Sequence, residues 1–261
     1  MEADRILRQY AAGERNFREI NLAGADLKGV DLSEANFTRA NFQDANLKGA
    51  NLTGANLREV KLTGVDLTEA NLSEANLIGT DLSRANLSGA NLSGSNLRGS
   101  MAREVNMSKA NLTEANLTEA NFTEANLSAA NLTDASMIRI NLMKANLSWS
   151  ILKAVNLTNA ILSESLLERA NLTTAILSGA ILSGANLTGA DLRQVTMVGA
   201  NLSEANLSNA NLRVANVSWS SLRGANLSGA NLYRAKLCWS NLSGAVLVET
   251  VLIDANLNRA N

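Results

Sequence analysis

The chain has 261 residues, with 23 Lys and Arg against 24 Asp and Glu, no His, no Pro and a single Cys. Without histidine there is no Ser-His-Asp or Cys-His nucleophile system, no imidazole metal ligand and no side chain that ordinarily titrates near neutrality. One cysteine cannot close an internal disulfide, so Cys238 is assigned no chemistry and neither a catalytic, a cofactor nor a metal site is expected.

The first twenty residues, MEADRILRQYAAGERNFREI, are interrupted by charges where a secretory segment needs an apolar core of about 7–15 residues. The longest apolar runs, such as AVLV at 245–248, fall far below the roughly 20 residues of a bilayer span. A cytoplasmic chain without membrane contact is expected. Within residues 3–12, Ile6, Leu7, Tyr10 and Ala11 form an apolar stripe at helical spacing, closed by Gly13. Residues 1–14 therefore read as a short helix that plugs whatever follows.

From residue 15 to residue 259 the chain divides without insertion or deletion into 49 five-residue units of the type Ala-Asn-Leu-x-x. Numbering the slots one to five, slot three holds Leu 40 times, Phe four times and Met three times, with Ala102 and Val217 as the exceptions. Slot one is Ala in 32 units, slot two is Asn in 31 and Asp in five, and every Gly except Gly13 stands in slot five. An α-helix turns about 100° per residue, so a five-residue period would scatter the leucines around it. A flat strand alternates faces, so each unit would land opposite its predecessor. Both objections disappear if the chain turns a corner once per unit, keeping slots one and three inward and slots two, four and five outward. The chain is then a solenoid whose coils stack at roughly 4.8 Å.

Two departures from the pattern stand out. Slot two, expected to face solvent, is apolar at Ile151, Ile161, Leu166, Ile176 and Ile181, and with Trp149 in slot five these make a candidate apolar belt near mid-rod. Nearer the C-terminus, Trp219, Tyr233, Cys238, Trp239, Val246, Val248, Val251 and Ile253 occupy outward slots, and the set apart from Cys238 is the candidate interface. The last residues, DANLNRAN, offer nothing to cover the final coil, so a homodimer through the C-terminal coils is expected, with Leu252 and Leu257 facing water otherwise. Charges twenty apart alternate in the columns Glu19, Arg39, Glu59 and in the pairs Arg84 with Glu104 and Glu124 with Lys144, which read as exposed ladders worth about 0–1 kcal/mol each. The many N-L-S and N-L-T sequons arise automatically from the repeat.

The units AN-L-T-G, AN-L-S-E and AD-L-R-Q resemble those of the pentapeptide-repeat protein family over 245 of the 261 residues, and ILRQYAAGERNF resembles the N-terminal segment of its cyanobacterial members. The resemblance implies an all-β fold: a right-handed quadrilateral parallel β-helix over residues 15–261, four units or twenty residues per coil, about 12 coils and about 58 Å long, with the N-terminal helix as its cap. Members of the family also suggest end-to-end dimers. With a twenty-residue coil, Ala102 makes room for Phe122 one coil on, and Trp219 stacks with Trp239.

The expected function is a non-enzymatic protein-interaction or regulatory scaffold, with a protein partner and no nucleic acid. One alternative is the imitation of duplex DNA by which some family members protect DNA gyrase. Duplex DNA carries one charge per roughly 1.7 Å, so a mimic of this length needs about 34 net negative charges, against a net charge of −1 here. A second alternative, ice binding, needs flat Thr rows. The column Ser33, Thr53, Ser73, Ser93, Thr113, Thr133 mixes Ser with Thr and is flanked by Glu34, Glu74, Glu114 and Asp134.

Overall fold

The structure, a computed structural model, describes residues 2–261. Helix α1 spans Glu2–Ala11, one residue earlier at each end than the apolar stripe suggests. It closes on Gly13, at φ +96°, where the Glu14 amide donates to the Gln9 carbonyl (3.0 Å) and the Gly13 amide to that of Tyr10 (3.0 Å). This is the crossed pair of bonds that a left-handed glycine permits at a helix end.

Every slot-two residue from 16 to 236 pairs in parallel with the residue twenty positions ahead. That offset gives four units per coil, one on each face, and the architecture is the right-handed quadrilateral β-helix. We number the faces by the units that open them: the first at residues 15, 35 and 55, the second at 20, 40 and 60, the third at 25, 45 and 65, the fourth at 30, 50 and 70.

The unit 35–39 shows why each slot prefers its residue. The Phe37 amide donates to the Asn56 carbonyl in the next coil (2.8 Å), the Asn36 amide to Arg15 in the previous one (2.7 Å), and the Arg39 amide to Arg58 (3.0 Å). The Ala40 amide closes the corner on the Phe37 carbonyl (2.8 Å). Of the five amides in the period, only that of slot four finds no backbone acceptor, and Asn36 Oδ1 takes it, at 3.1 Å from the Thr38 nitrogen. Slot two is Asn or Asp because a short side-chain oxygen reaches the amide two residues on. Its amide group also bridges coils, as in Asn91 Nδ2 donating to Asn71 Oδ1 (3.1 Å) and Asn111 Nδ2 to Asn91 Oδ1 (3.0 Å). Slot two is consequently half-buried and structural, more than the solubilising position expected from the pattern.

The corner also explains the glycines. Its third residue, slot five, is left-handed in all 49 units, 16 of them Gly and 33 not. A turn with positive φ at this position favours Gly and tolerates other residues at about 1–3 kcal/mol each.

The interior is a continuous column of slot-one and slot-three side chains, fully buried from Leu22 to Leu237 with few exceptions, among them the half-buried Ala25 and Val30 near the N-terminal end. Near α1 it is aromatic: Phe37 stacks on Phe17 (5.5 Å between centroids) and meets Phe42 edge-on (5.0 Å). Ile6 of α1 is completely buried, Leu7 and Tyr10 are half-buried against this core, and the Tyr10 hydroxyl donates to the Ser33 carbonyl (3.0 Å). Ala102 and Phe122 do lie in adjacent coils, the Ala102 amide donating to Asn121 (2.8 Å), and both are fully buried. Most serines in slot one are satisfied, Ser95, Ser150, Ser165 and Ser240 donating to the carbonyl three residues back at 2.5–2.7 Å, while the buried Ser100 hydroxyl has no partner among the described residues.

Candidate protein-interaction surfaces

The coil register decides which outward residues share a surface. Trp219 and Trp239 both stand in slot five of the first face, one coil apart, and their rings stack nearly parallel (4.9 Å, 9°). The Arg259 guanidinium covers the outer ring at 4.4 Å, extending the column by one coil. The two indoles are 61% and 44% exposed. Both occupy left-handed positions, φ 62° and 61°, where a bulky side chain is strained and where Gly is the most frequent single residue. Trp149 repeats the arrangement on the third face, at φ 63° with Arg169 over its ring at 4.7 Å. All three tryptophans of the chain therefore sit where the backbone least favours them.

The remaining C-terminal candidates do not join one patch. Val246 and Val248 lie on the third face, opposite the indoles, and Val251 and Ile253 on the fourth. All four are exposed. Tyr233, also on the fourth face, is half-buried, with the guanidinium groups of Arg213 (5.0 Å) and Arg234 (4.9 Å) against its ring, so it presents cations where an apolar surface was expected. Cys238 is half-buried beside Trp239. The hydrophobics thus wrap three faces of the last coils and leave the second face free. Slot three adds exposed Leu247 and Leu257, at 40% and 38%, because no further coil stacks on them among the described residues, while Leu252 stays half-buried.

The mid-rod belt is likewise a girdle: Ile151 faces out on the fourth face, Ile161 and Ile181 on the second, Leu166 on the third and Ile176 on the first, all 37–44% exposed. Only Ile161 and Ile181 are direct neighbours, paired across consecutive coils. An apolar slot two cannot accept the slot-four amide, so these five units each forgo a bond that their Asn-bearing neighbours make, worth about 0.5–1.5 kcal/mol.

Two of the charge ladders take a different form. Arg39 bridges Glu19 (3.9 Å) and Glu59 (2.9 Å) as expected, but Lys144 reaches forward to Glu164 (3.8 Å) rather than back to Glu124. Among the described residues Arg84 and Glu104 form no ion pair. Hydrogen bonds from Arg39 and Arg58 hold the Glu59 carboxyl below the usual carboxylate range, and Arg139 does the same for Glu119. At Asp81 burial works in the opposite direction and is outweighed by hydrogen bonds from Ser83 and Thr63. Asp31 is lowered mainly by the Ser33 amide and hydroxyl.

Sorting charges by face adds what the sequence pattern did not show. The first face carries eight bases and three acids, the second five and six, the third four and five, the fourth four and seven. An Arg-rich face contradicts the even negative surface of a DNA mimic. The Ser/Thr column of the fourth face spends hydroxyls internally, Thr53 and Thr133 donating to Asn51 and Asn131 at 2.7 Å, which leaves little ordered array for ice.

Among the described residues no group of three or more Cys, Asp or Glu is placed to hold a metal ion, and no helix is long and apolar enough to cross a membrane.

Eight consecutive blocks match the family described as pentapeptide repeats, at residues 16–54, 50–89, 80–119, 110–148, 120–159, 150–189, 190–229 and 230–261. HetL, a pentapeptide repeat protein involved in heterocyst differentiation regulation in the cyanobacterium Nostoc sp. strain PCC 7120, is 32% identical over 100% of this chain and 96% of its own, with a TM-score of 0.40. Rfr23 from the cyanobacterium Cyanothece 51142 is 40% identical over 34% of this chain and 62% of its own, with a TM-score of 0.34. The Nostoc protein alr5209 is 35% identical over 38% and 78%, with a TM-score of 0.36. Among proteins of curated function none matches. Repeat blocks that run from residue 16 to residue 261, on a twenty-residue parallel register, place this chain in the pentapeptide-repeat family.

Proposed function

We propose that the protein is a non-catalytic rod that docks protein partners through the tryptophan column at the C-terminal end of its first face. The observation that carries this reading is the exposed Trp219–Trp239 stack, held at strained left-handed positions and topped by Arg259. Aromatic and Arg side chains dominate the energetics of protein interfaces, and they are large rigid anchors with little entropy to lose. Neither ring contributes to the core, so stability does not explain them. A regulatory scaffold fits the similarity to HetL, whose own role is in regulation of heterocyst differentiation.

The test replaces both tryptophans by the residue the turn prefers. Trp219→Gly with Trp239→Gly should leave the β-helix intact and raise its stability by about 1 kcal/mol or more. Partners captured by the wild-type rod from an extract of its source cells should be lost. Retention of the same partners at the same yield by the variant would sink the reading. A second copy of the chain is one candidate partner at these coils. Sedimentation of wild type against Trp239→Glu at tens of micromolar checks it, and self-association lost in the variant would make that copy the occupant of the column.

A further inference from the structure

The fourth face is electrically divided along its length. Its N-terminal half carries five carboxylates, Asp31, Glu34, Glu74, Glu114 and Asp134, and no base. Its C-terminal half carries four cations, Lys153, Arg193, Arg213 and Arg234, against Asp191 and Asp254. No other face separates its charges in this way. On the first face each acid is matched by an arginine: Glu19 and Glu59 by Arg39, and Glu119 by Arg98 and Arg139. Among the described residues, in contrast, none of Glu34, Glu74, Glu114 and Asp134 forms an ion pair, and neither does Lys153 or Arg213. Arg193 is engaged by Asp191 (2.6 Å) and Arg234 by Asp254 (3.4 Å).

Shape follows charge. On the acidic half slot four holds only Ser and Thr, and Glu74 lies over Gly94, where a Cβ would collide with its carboxylate. That half is therefore low and flat. On the basic half slot four is Lys153, Thr173, Arg193, Arg213, Tyr233 and Ile253, and the first four stand around a shallow open groove of about 540 Å³. The groove is bordered by Thr174 and Val214, β-branched residues held at φ 60° where such side chains are rarely tolerated.

We propose that this face is a two-fold interface between two copies of the chain, laid side by side and antiparallel. The acidic half of each copy then covers the basic half of the other. A two-fold axis between the coils of Asp134 and Lys153 sets Asp134 against the partner copy's Lys153 and Glu74 against its Arg213, each pair occurring twice. Glu114 falls over the groove beside Thr173. At the outer ends Asp31 and Glu34 meet Asp254, whose charge is already countered by Arg234. A parallel arrangement sets acid on acid, so the charge pattern selects orientation as well as partner. The contact uses a different face from the tryptophan column, and the two readings fail independently.

Sedimentation velocity at about 50 μM separates them. The wild type should be dimeric in about 20 mM salt, and its dissociation constant should rise about tenfold or more by about 500 mM, where charges are screened over a few ångströms. Arg213→Glu and Glu74→Arg should each weaken association about tenfold, and the two together in one chain should restore it, because each reversed charge then faces a reversed partner. A wild type that stays monomeric at low salt would overturn the proposal, as would a double variant no better than the single ones. Association that persists in Arg213→Glu but disappears in Trp239→Glu, a substitution confined to the first face, would also overturn it, in favour of the tryptophan column.

Discussion

The two ends of the rod use the same five-residue unit and arrive at opposite surfaces. At the N-terminal end, Phe17, Leu22 and Leu27 are buried, with α1 and its Ile6 packed against the aromatic coils. At the other end Leu247 and Leu257, in the same slot, are more than a third exposed. The lesson is that an inward side chain in this fold is buried by the neighbouring coil and not by its own. A repeat unit carries half of an interface, and its energy is realised only when something stacks on it.

Cavity substitutions test that lesson with the largest effect. Phe122→Ala, in the middle of the rod, should cost about 3–5 kcal/mol, whereas Leu257→Ala should cost about 1–2, because more than a third of its surface stays in water and its removal encloses no cavity. Denaturant midpoints of the two variants decide the matter, and equal shifts would show that position along the rod does not govern burial. The neighbour of Phe122 refines the point. Ala102→Leu should overpack and cost about 1–3 kcal/mol.

At the covered end, Ile6→Ala should cost about 2–5 kcal/mol if α1 acts as a packed cap, and deletion of residues 1–13 should raise aggregation by baring the Phe17 and Leu22 coils. Thermal denaturation with light scattering reads both. A truncated rod as stable and as soluble as the full chain would show that α1 merely rests on the first coil.

The hydrogen-bonded columns should show a smaller difference. The Asn91 side chain accepts the Ser93 amide (3.2 Å), donates to Asn71 and accepts from Asn111, while the Asn256 side chain, among the described residues, accepts only the Asn258 amide (3.0 Å). Asn91→Ala is expected to destabilise by about 1–3 kcal/mol and Asn256→Ala by about 1 or less, measured by urea denaturation.

The smallest effect is that of pH. The carboxyls of Asp31 and Asp81 are depressed in the folded chain by hydrogen bonds, and those of Glu59 and Glu119 by arginines. A depressed carboxylate stabilises the fold above its unfolded value, about 3.9–4.3, and that contribution is lost as pH falls through the folded value. With no histidine in the chain, the denaturation midpoint should be nearly flat from about pH 5.5 to 8 and should decline below about pH 4. The N-terminal half holds all four groups and should loosen first, which hydrogen exchange along the chain can follow.

Much of this was legible in the residues themselves. The recurrence of Leu every five positions excludes helix and flat strand, and the slot preferences report the corner, the core and the cap. Once four units per coil are granted, Ala102 must meet Phe122 and Trp219 must meet Trp239, and they do. The asparagines were harder to read, because a polar residue on a solenoid looks like a solvated one. Only the backbone accounting shows that slot two supplies the single missing acceptor.

What the five-residue period leaves open is how many units complete a turn. That number is set by hydrogen bonds between residues twenty apart, and it alone decides which side chains share a face. It disperses the mid-rod isoleucines around the girdle, parts Val246 and Val248 from the tryptophans, and gathers Glu74, Asp134, Lys153 and Arg213 into one divided surface. Local sequence fixes whether a residue points inward or outward, since that depends on a corner made by its own unit. Tertiary structure assigns its neighbours, since those come from the coils above and below.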